Sequence, residues 1–595
     1  MRLHVWNREP LESELANVAK EDIIWGTRKL NNSVFPKDIQ HVSLDEIKQD
    51  VNAKLISIWN QTGDKEINGR PFCECLQIDG QSFWHYYKYK GYFTVREWLY
   101  EIQFLEQHLN EYPEIIWYTS HHELTKLHWP HHVKIICKNE TTIDSVSSAF
   151  ADYMKHSLKC FFKSSSLKGI RGKHLIINKS IPQNIWRSDS GQWKLGNVYL
   201  ENVMQQDSFE SMCITDSDIP PLKGKKFVSH FSPNENSMGE AIFFKSLINP
   251  ISVWQALQVS KKLKAIVNGL PFSECTQTEK LIVSFLKSQI SSSPIYVLKY
   301  NAWKKALRKN RPSSITLIDE NSPLTRCVVD AARDCNVPTF AIQHGSIHDQ
   351  HPAYMFSAQD QYRNVFPTFT LTWGEHWKNV LVEKGNYPKD SIYVSGQQRT
   401  DTIFQLIEKR EQLRASFFQS NVPIILFATQ PQQDAQMRKR IAQDFFESLL
   451  TLPQALGVLK LHPAEKNQDG FYLDIANEVG CSNFKIQHDT DLYALIAASD
   501  VVITAFSTVG TEAVYFKKPI VIWDPLNLDL LGLIKQDLAW GVKDVSDLSA
   551  GLNRIINEGE RKEDDVFDGF IQQYAFKIDG SSSKRICDFI QSHSK

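Results

Sequence analysis

At 595 residues, 42% hydrophobic and 23% charged, the chain is long enough for two or more domains with separate cores, and its composition excludes a disordered or fibrous protein. Lys+Arg number 67 against Asp+Glu 68, a net charge of -1. No overall field therefore draws the chain to nucleic acid or a membrane, and an anionic partner has to be held by a local site. No nucleic-acid partner is expected. The ten cysteines are scattered without a CxxC pair, which signals neither a zinc ribbon nor a disulfide framework and fits a reducing cytoplasm. The opening MRLHVWNREPLESE turns charged too soon for a signal peptide, and no apolar run approaches the roughly 18 residues of a membrane span. The expected location is the cytoplasm, with the inner face of the cell membrane as an option.

In chain order, LHVW near residue 3, helical patterns at 44–60 and 94–111, and EIIWYTS at 114–120 read as an α/β layer. From 313 the pattern sharpens into SSITLIDE, LTRCVVDAARDC, PTFAIQHG, TFTLTWG, HWKNVLVEKG and SIYVSG. This is strand, helix, strand, strand, helix, strand, with the β-branched runs that buried parallel strands require. A charged stretch, TDTIFQLIEKREQLRASF, leads to VPIILFAT, a helix at 434–451, GVLKLHP, NFKIQH, a helix at 490–498, DVVITAF, a helix from about 508, and KPIVIWD, a second doubly wound unit. The expected domains are 1–405, an acceptor-side α/β domain with an insertion around 121–290; 415–565, a nucleotide-binding Rossmann-like domain; and 566–595, a helix packing back. An echo at 68–75 and 268–275, NGRPFCEC and NGLPFSEC, reads as shared turn chemistry rather than a repeat.

In open α/β sheets ligands collect beyond the carboxyl ends of the strands. DVVITAF runs into Ser507-Thr508-Val509-Gly510-Thr511-Glu512, where free N–H groups, helix polarity and hydroxyls suit phosphate oxygens; the plainer reading is N-capping by Ser507 or Thr508. GVLKL ends in His462-Pro463, and on neighbouring strands the two tips would meet around a phosphate. Glu512, one turn into its helix, suits a ribose, or simply the helix dipole. Earlier in the chain, Asp319-Glu320-Asn321 and Gln343-His344-Gly345 end adjacent strand patterns. A carboxylate pair and an imidazole there are what general-base chemistry needs. His344, His348 and His351 lack one-face spacing, so no metal site is expected. There is no GxxxxGK[ST], no GxGxxG after a strand and no GxSxG, which argues against a P-loop enzyme, a dinucleotide oxidoreductase and an α/β-hydrolase.

KLHP, DVVITAFSTVGTEAVYFKKPIVIWD, PTFAIQHG and SIYVSGQQRTD together resemble the GT-B glycosyltransferases and polymer-forming transferases of bacterial surface polysaccharides, such as capsule or lipopolysaccharide. Kdo transferases and sialyltransferases are nearest, with CDP-glycerol glycerophosphotransferases and UDP-N-acetylglucosamine 2-epimerases more distant. The resemblance covers roughly 313–530. It implies a GT-B fold: two Rossmann-like doubly wound domains facing across a cleft, with an enlarged N-terminal domain. It implies that His462, Ser507 and Thr508 hold the donor's phosphate, with Lys460, Gly510 and Thr511 in the same site and Glu512 near the nucleoside. Asp319, Glu320 and His344 become the catalytic groups, and Gln343, Gln397 and Arg399 cleft residues. Gly396-Gln397-Gln398-Arg399 departs from the usual Gly-Asn-Pro, which leaves the donor open between CMP- and UDP-linked sugars.

The expected activity is sugar transfer from a nucleotide donor to a glycan or glycolipid acceptor, without a metal or other cofactor. The developing phosphate charge would be met by preorganised donors and the acceptor proton taken by Asp319. Polyol-phosphate transfer and 2-epimerase-like isomerisation are the alternatives. Between Tyr153 and Arg187 no acidic residue occurs, while Lys155, Lys159, Lys163, Lys168, Arg171 and Lys173 cluster with Phe161 and Phe162. That stretch is either a contact with anionic lipid or glycan, or a solvated basic face.

Overall fold

A computed structural model describes residues 2–594 apart from 28–33, 36–38, 43, 139–157, 159–169, 179–184, 188–192, 196–199, 205, 207–210, 216–226, 230–237, 271–274, 419–421, 431–434, 463–464, 466 and 489–490. Most of the basic stretch at 155–173 and Pro463 lie outside the described residues.

Three parallel sheets carry the fold. The first joins β1 (Leu3–Trp6), β2 (Ile23–Gly26), β3 (Gln40–His41), β4 (Ile115–Thr119) and β5 (Val133–Cys137) in the order β3-β2-β1-β4-β5. The second joins β6 (His174–Asn178), β7 (Ser211–Thr215), β8 (Ser314–Leu317), β9 (Thr339–Ile342), β10 (Phe369–Thr372) and β11 (Ile392–Val394) in the order β7-β6-β8-β9-β10-β11. The third joins β12 (Ile424–Ala428), β13 (Leu456–Lys460), β14 (Phe484–Gln487), β15 (Val501–Thr504), β16 (Ile520–Trp523) and β17 (Trp540–Val542) in the order β14-β13-β12-β15-β16-β17. This last order is the Rossmann pattern 3-2-1-4-5-6. Its strands are apolar on both faces because helices cover both sides: Ile424, Leu426 and Val502 face one core, Ile425, Phe427, Val501 and Ile503 the other. The α/β class and the doubly wound units expected from the sequence are both present.

The chain divides into two compact units. One is Met1–Leu371 with Asn379–Tyr393 and Ile590–Lys595; the other is Thr372–Lys378 with Val394–Phe589. Residues 394–405, expected with the N-terminal domain, thus group with the later unit, and so does most of 566–595. The reason is local: the N–H groups of Ser582 and Ser583 donate to the Asp401 carboxylate at 2.8 and 2.7 Å, and Gly396, at φ 91°, sits so close to Ser582 and Arg585 that a Cβ would collide with both.

The echo at 68 and 268 is two different structures. Asn68-Gly69, both left-handed, turn a short hairpin, whereas Asn268-Gly269 end the helix Pro250–Asn268. One expectation needs correcting. The helical stretch Gln277–Asn310 is long and apolar enough to cross a membrane by length and composition. Core packing accounts for it, since Leu281, Ile282, Phe285, Val297, Trp303 and Leu307 are all buried inside the first unit.

Buried His174 opens β6, with Nδ1 2.6 Å from Ser314 Oγ and Nε2 2.9 Å from Thr316 Oγ1 on β8. Burial lowers its pKa from 6.5 to about 3. The unfolded imidazole therefore binds a proton below pH 6.5 while the folded one resists until about pH 3. The stability carried by the neutral ring is complete above 6.5 and lost as the pH falls through that window. Urea unfolding at a series of pH values is expected to show this decline in the parent and a shallower one in His174→Gln.

Candidate functional site

In the later unit the chain runs outward from β12 to β13 and β14, then returns to β15 on the other side of β12. The crevice at such a reversal, between β12 and β15, is where ligands of this fold class bind. The strand tips carrying His462 and Ser507 share this carboxyl edge, but they are not neighbours as the sequence reading assumed. β12 stands between β13 and β15, which separates the two tips by two strand spacings, about 10 Å. The residue in the middle is Gln430, just past β12. Its side-chain oxygen accepts the Phe506 N–H at 2.8 Å, tying the β12 tip to the loop after β15. Sequence reasoning missed it, because a glutamine just past a strand carries no local signal and the strand order that puts it at the reversal is visible only in the sheet.

His462 is positioned by a buried network. Its N–H donates to Thr429 Oγ1 at 3.0 Å, and that hydroxyl donates to Glu465 Oε2 at 2.6 Å. Glu465 Oε1 also takes the Tyr472 hydroxyl at 3.0 Å and pairs with Arg438 at 2.9 Å. A fully buried carboxylate is tolerated because it is paired and hydrogen-bonded. A small cavity lined by Gln430, Arg438, Tyr472 and Ala505 adjoins this network.

The Ser507 loop differs from expectation. The N–H groups proposed for phosphate are largely used within the turn: Ser507 N–H donates to Thr504 Oγ1 at 3.3 Å, Val509 N–H to Ser507 Oγ at 3.3 Å, and Gly510 N–H to the Ser507 carbonyl at 3.0 Å. Ser507 Oγ thus takes an N–H of the first turn, while Thr508, at the cap position, makes no side-chain cap bond, and the helix that follows, Val509–Tyr515, is short. Gly510 serves packing, since a Cβ would lie 3.1 Å from Leu531 and Leu533. Thr508 and Thr511 stand on the same turn. Two further residues are corrected. Lys460 donates its ammonium to the His488 carbonyl beyond β14, on the far side of β13 from the crevice. Glu512 pairs with Arg399 at 3.1 Å, and the Arg399 guanidinium lies over Tyr493. Burial raises the Glu512 pKa, with Arg399 opposing the rise. Glu512 thereby ties Arg399 to the helix after Ser507, a partner the sequence did not suggest. Arg399 is half exposed, and the Gln397 side-chain oxygen is buried without a partner.

In the first unit the reversal lies between β6 and β8. β8 and β9 pair in register, Leu317 opposite Ala341, so continuing the ladder sets Asp319 across from Gln343 with His344 one residue on. Asp319 adopts φ 56°, an uncommon conformation for a side-chain-bearing residue that turns it out of the strand. Glu320 is buried and accepts from Asn321, which in turn accepts from Arg326. It braces the turn and is not placed as a base. Gln343 donates to the Gly345 carbonyl at 2.9 Å, a brace as well. Around Asp319 and His344 the sequence missed an aromatic wall. The His351 ring stacks near Tyr89, 6.1 Å away, and lies 4.9 Å from Tyr354. Burial first, then His348 and His344, lower the His351 pKa to about 4, so it is neutral at physiological pH. Tyr89 arrives from the long helix Phe83–His108, a role for the N-terminal third that the sequence left unassigned. Among the described residues no group of three or more His, Cys, Asp or Glu is arranged to hold a metal.

The class these observations define is an α/β protein with two doubly wound sheets, each presenting polar side chains at the reversal of its strand order. Residues 340–592 match the family described as CDP-glycerol:poly(glycerophosphate) glycerophosphotransferase, a span that includes His344, His462 and Ser507. No curated protein matches the chain. Among solved structures it is similar to the UDP-GlcNAc 2-epimerase of Neisseria meningitidis bound to UDP-GlcNAc, at 13% identity and TM-score 0.39, covering 71% of this chain and 100% of that one. It is likewise similar to the 2-epimerase of Methanocaldococcus jannaschii, at 13% identity and 0.43, covering 71% and 99%. A third is a glycosyltransferase from Rickettsia africae, at 12% and 0.39, covering 71% and 98%.

Thr429→Val removes the acceptor of the His462 N–H and the donor to Glu465 Oε2, leaving Glu465 with Tyr472 and Arg438. The expected loss in unfolding free energy is about 1–3 kcal/mol, measured by urea denaturation at neutral pH. Unchanged stability would show that the Glu465 network does not hold the β13 tip.

Proposed function

We propose that this chain transfers a polyol phosphate, glycerol phosphate from CDP-glycerol in the leading case, onto a hydroxyl of a glycan or glycerophosphate-bearing acceptor. The observation that carries the reading is the family match over 340–592, because it spans the whole donor-side sheet and reaches back to His344. Sugar transfer from a CMP- or UDP-linked donor, expected first from the sequence, uses the same parts, since in both reactions a nucleotide phosphate leaves. The family match favours attack at phosphorus over attack at an anomeric carbon.

In that reaction the acceptor hydroxyl forms a bond to the β-phosphorus, the bond from that phosphorus to the bridging oxygen breaks, and CMP leaves with the electron pair. The acceptor proton passes to Asp319 or His344. Asp319 is turned outward by its backbone, and His344 stands at the adjacent strand end. On the donor side, His462 and the hydroxyls of Thr508 and Thr511 meet the charge that builds on the leaving phosphate, an electrostatic contribution that needs no reorganisation. The donor dock therefore includes Gln430, and the Arg399–Glu512 pair closes its rim.

Purified protein incubated with CDP-glycerol, a CMP-sugar or UDP-N-acetylglucosamine, with melting temperature and nucleotide release as readouts, tests the assignment. CDP-glycerol is expected to raise the melting temperature, and His462→Ala to abolish most of that shift. Asp319→Asn and His344→Ala are expected to lower CMP release by about 10²–10⁴-fold while leaving the shift intact. A shift that survives both His462→Ala and Thr508→Val, or one produced by UDP-N-acetylglucosamine alone with conversion of that sugar and no acceptor, would refute the reading.

A further inference from the structure

The helix Pro250–Asn268 in the first unit has two apolar faces. Asn249 caps its start by accepting the Ile251 N–H at 3.1 Å, with Pro250 in the first turn. The inner face, Ala256, Val259, Leu263 and Val267, is buried, and the helix packs on Ser293–Asn310. That face suffices to dock the helix. Yet Ile248, Ile251, Trp254 and Leu257 remain 59%, 67%, 61% and 53% exposed. Singly exposed apolar residues need no explanation, but large ones recurring at successive turns of one helix face mark an interaction surface.

The charge along the same face says what kind. Lys261 falls seven residues after Trp254, Lys264 seven after Leu257, and Lys262 eleven after Ile251. At 3.6 residues per turn each lysine continues the column that an apolar side chain begins, and all three are exposed. No Asp or Glu occurs anywhere from 241 to 273. A second copy of this helix offers no carboxylate to meet the three lysines, and a water-facing role leaves Trp254 unexplained. An apolar patch with a central tryptophan, bordered by cations whose methylene stems lie along it, is the pattern of a helix lying in the plane of an anionic bilayer.

We propose that the outer face of Pro250–Asn268 docks this protein on an anionic phospholipid surface, Ile251, Trp254 and Leu257 entering the headgroup boundary and Lys261, Lys262 and Lys264 meeting lipid phosphates. The inference is independent of the reaction assigned above. It places the surface contact on this helix, outside the basic stretch at 155–173 that the sequence suggests.

Vesicle co-sedimentation of the full chain decides it. The protein is expected to bind vesicles of phosphatidylglycerol mixed with phosphatidylcholine, and to bind phosphatidylcholine alone far more weakly. Each lysine contributes roughly fivefold, so Lys261→Gln, Lys262→Gln and Lys264→Gln combined weaken binding about a hundredfold, and added salt does the same. Trp254→Ser weakens it by about tenfold. All four side chains are exposed, so the melting temperatures should match the parent, and a circular dichroism melt checks that folding is intact. No binding, equal binding to both vesicle types, binding unchanged in these variants, or a dimer by sedimentation equilibrium that Trp254→Ser dissolves would overturn the proposal.

Discussion

A parallel sheet grows only by crossing over, and a sheet that grows first to one side of its starting strand and then to the other leaves one place where successive connections part. In the later unit that place is the carboxyl end of β12, flanked by β13 and β15. Everything offered to a ligand there follows from this constraint. The backbone of the outgoing crossover delivers His462, the returning crossover delivers Ser507 and Thr508, and the starting strand supplies Thr429 and Gln430. No two neighbouring residues in the sequence could present this set.

Holding the tips in place requires buried polar chemistry, and most of the polar side chains at both sheet edges serve that purpose. Glu465 gathers Thr429, Tyr472 and Arg438, Glu512 anchors Arg399, and Glu320 braces Asn321. In a low-dielectric interior an unpaired carboxylate is costly, so each of these acids is committed to its partners. The braces leave His462 and Thr508 at the edge of one sheet and Asp319 and His344 at the edge of the other, and the proposed reaction draws on this smaller set. The aromatic wall of Tyr89, His351 and Tyr354 lies beside Asp319, and burial there lowers the His351 pKa.

Much of this was legible beforehand. The strands of the second and third sheets announce themselves because parallel strands covered on both faces read as unbroken apolar runs, as SSITLI and DVVIT do. Strand ends announce themselves because polarity returns abruptly at Asp319, Gln343, His462 and Ser507. Gln430 and Glu465 were not legible, since a glutamine after a strand and a glutamate in a loop carry no local signal. The expected neighbourhood of β13 and β15 failed for a related reason: chain order does not state on which side of the first strand a crossover lands.

The sequence by itself determined the α/β class, the doubly wound alternation and the residues standing at strand ends, because those depend on hydrophobic period and turn chemistry within a few residues. Tertiary structure alone decided which of those residues brace the strand tips. Strand order, the pairing of Glu512 with Arg399, the self-satisfied turn at Ser507 and the arrival of Tyr89 beside Asp319 all join positions far apart in the chain, and no local pattern encodes such distances.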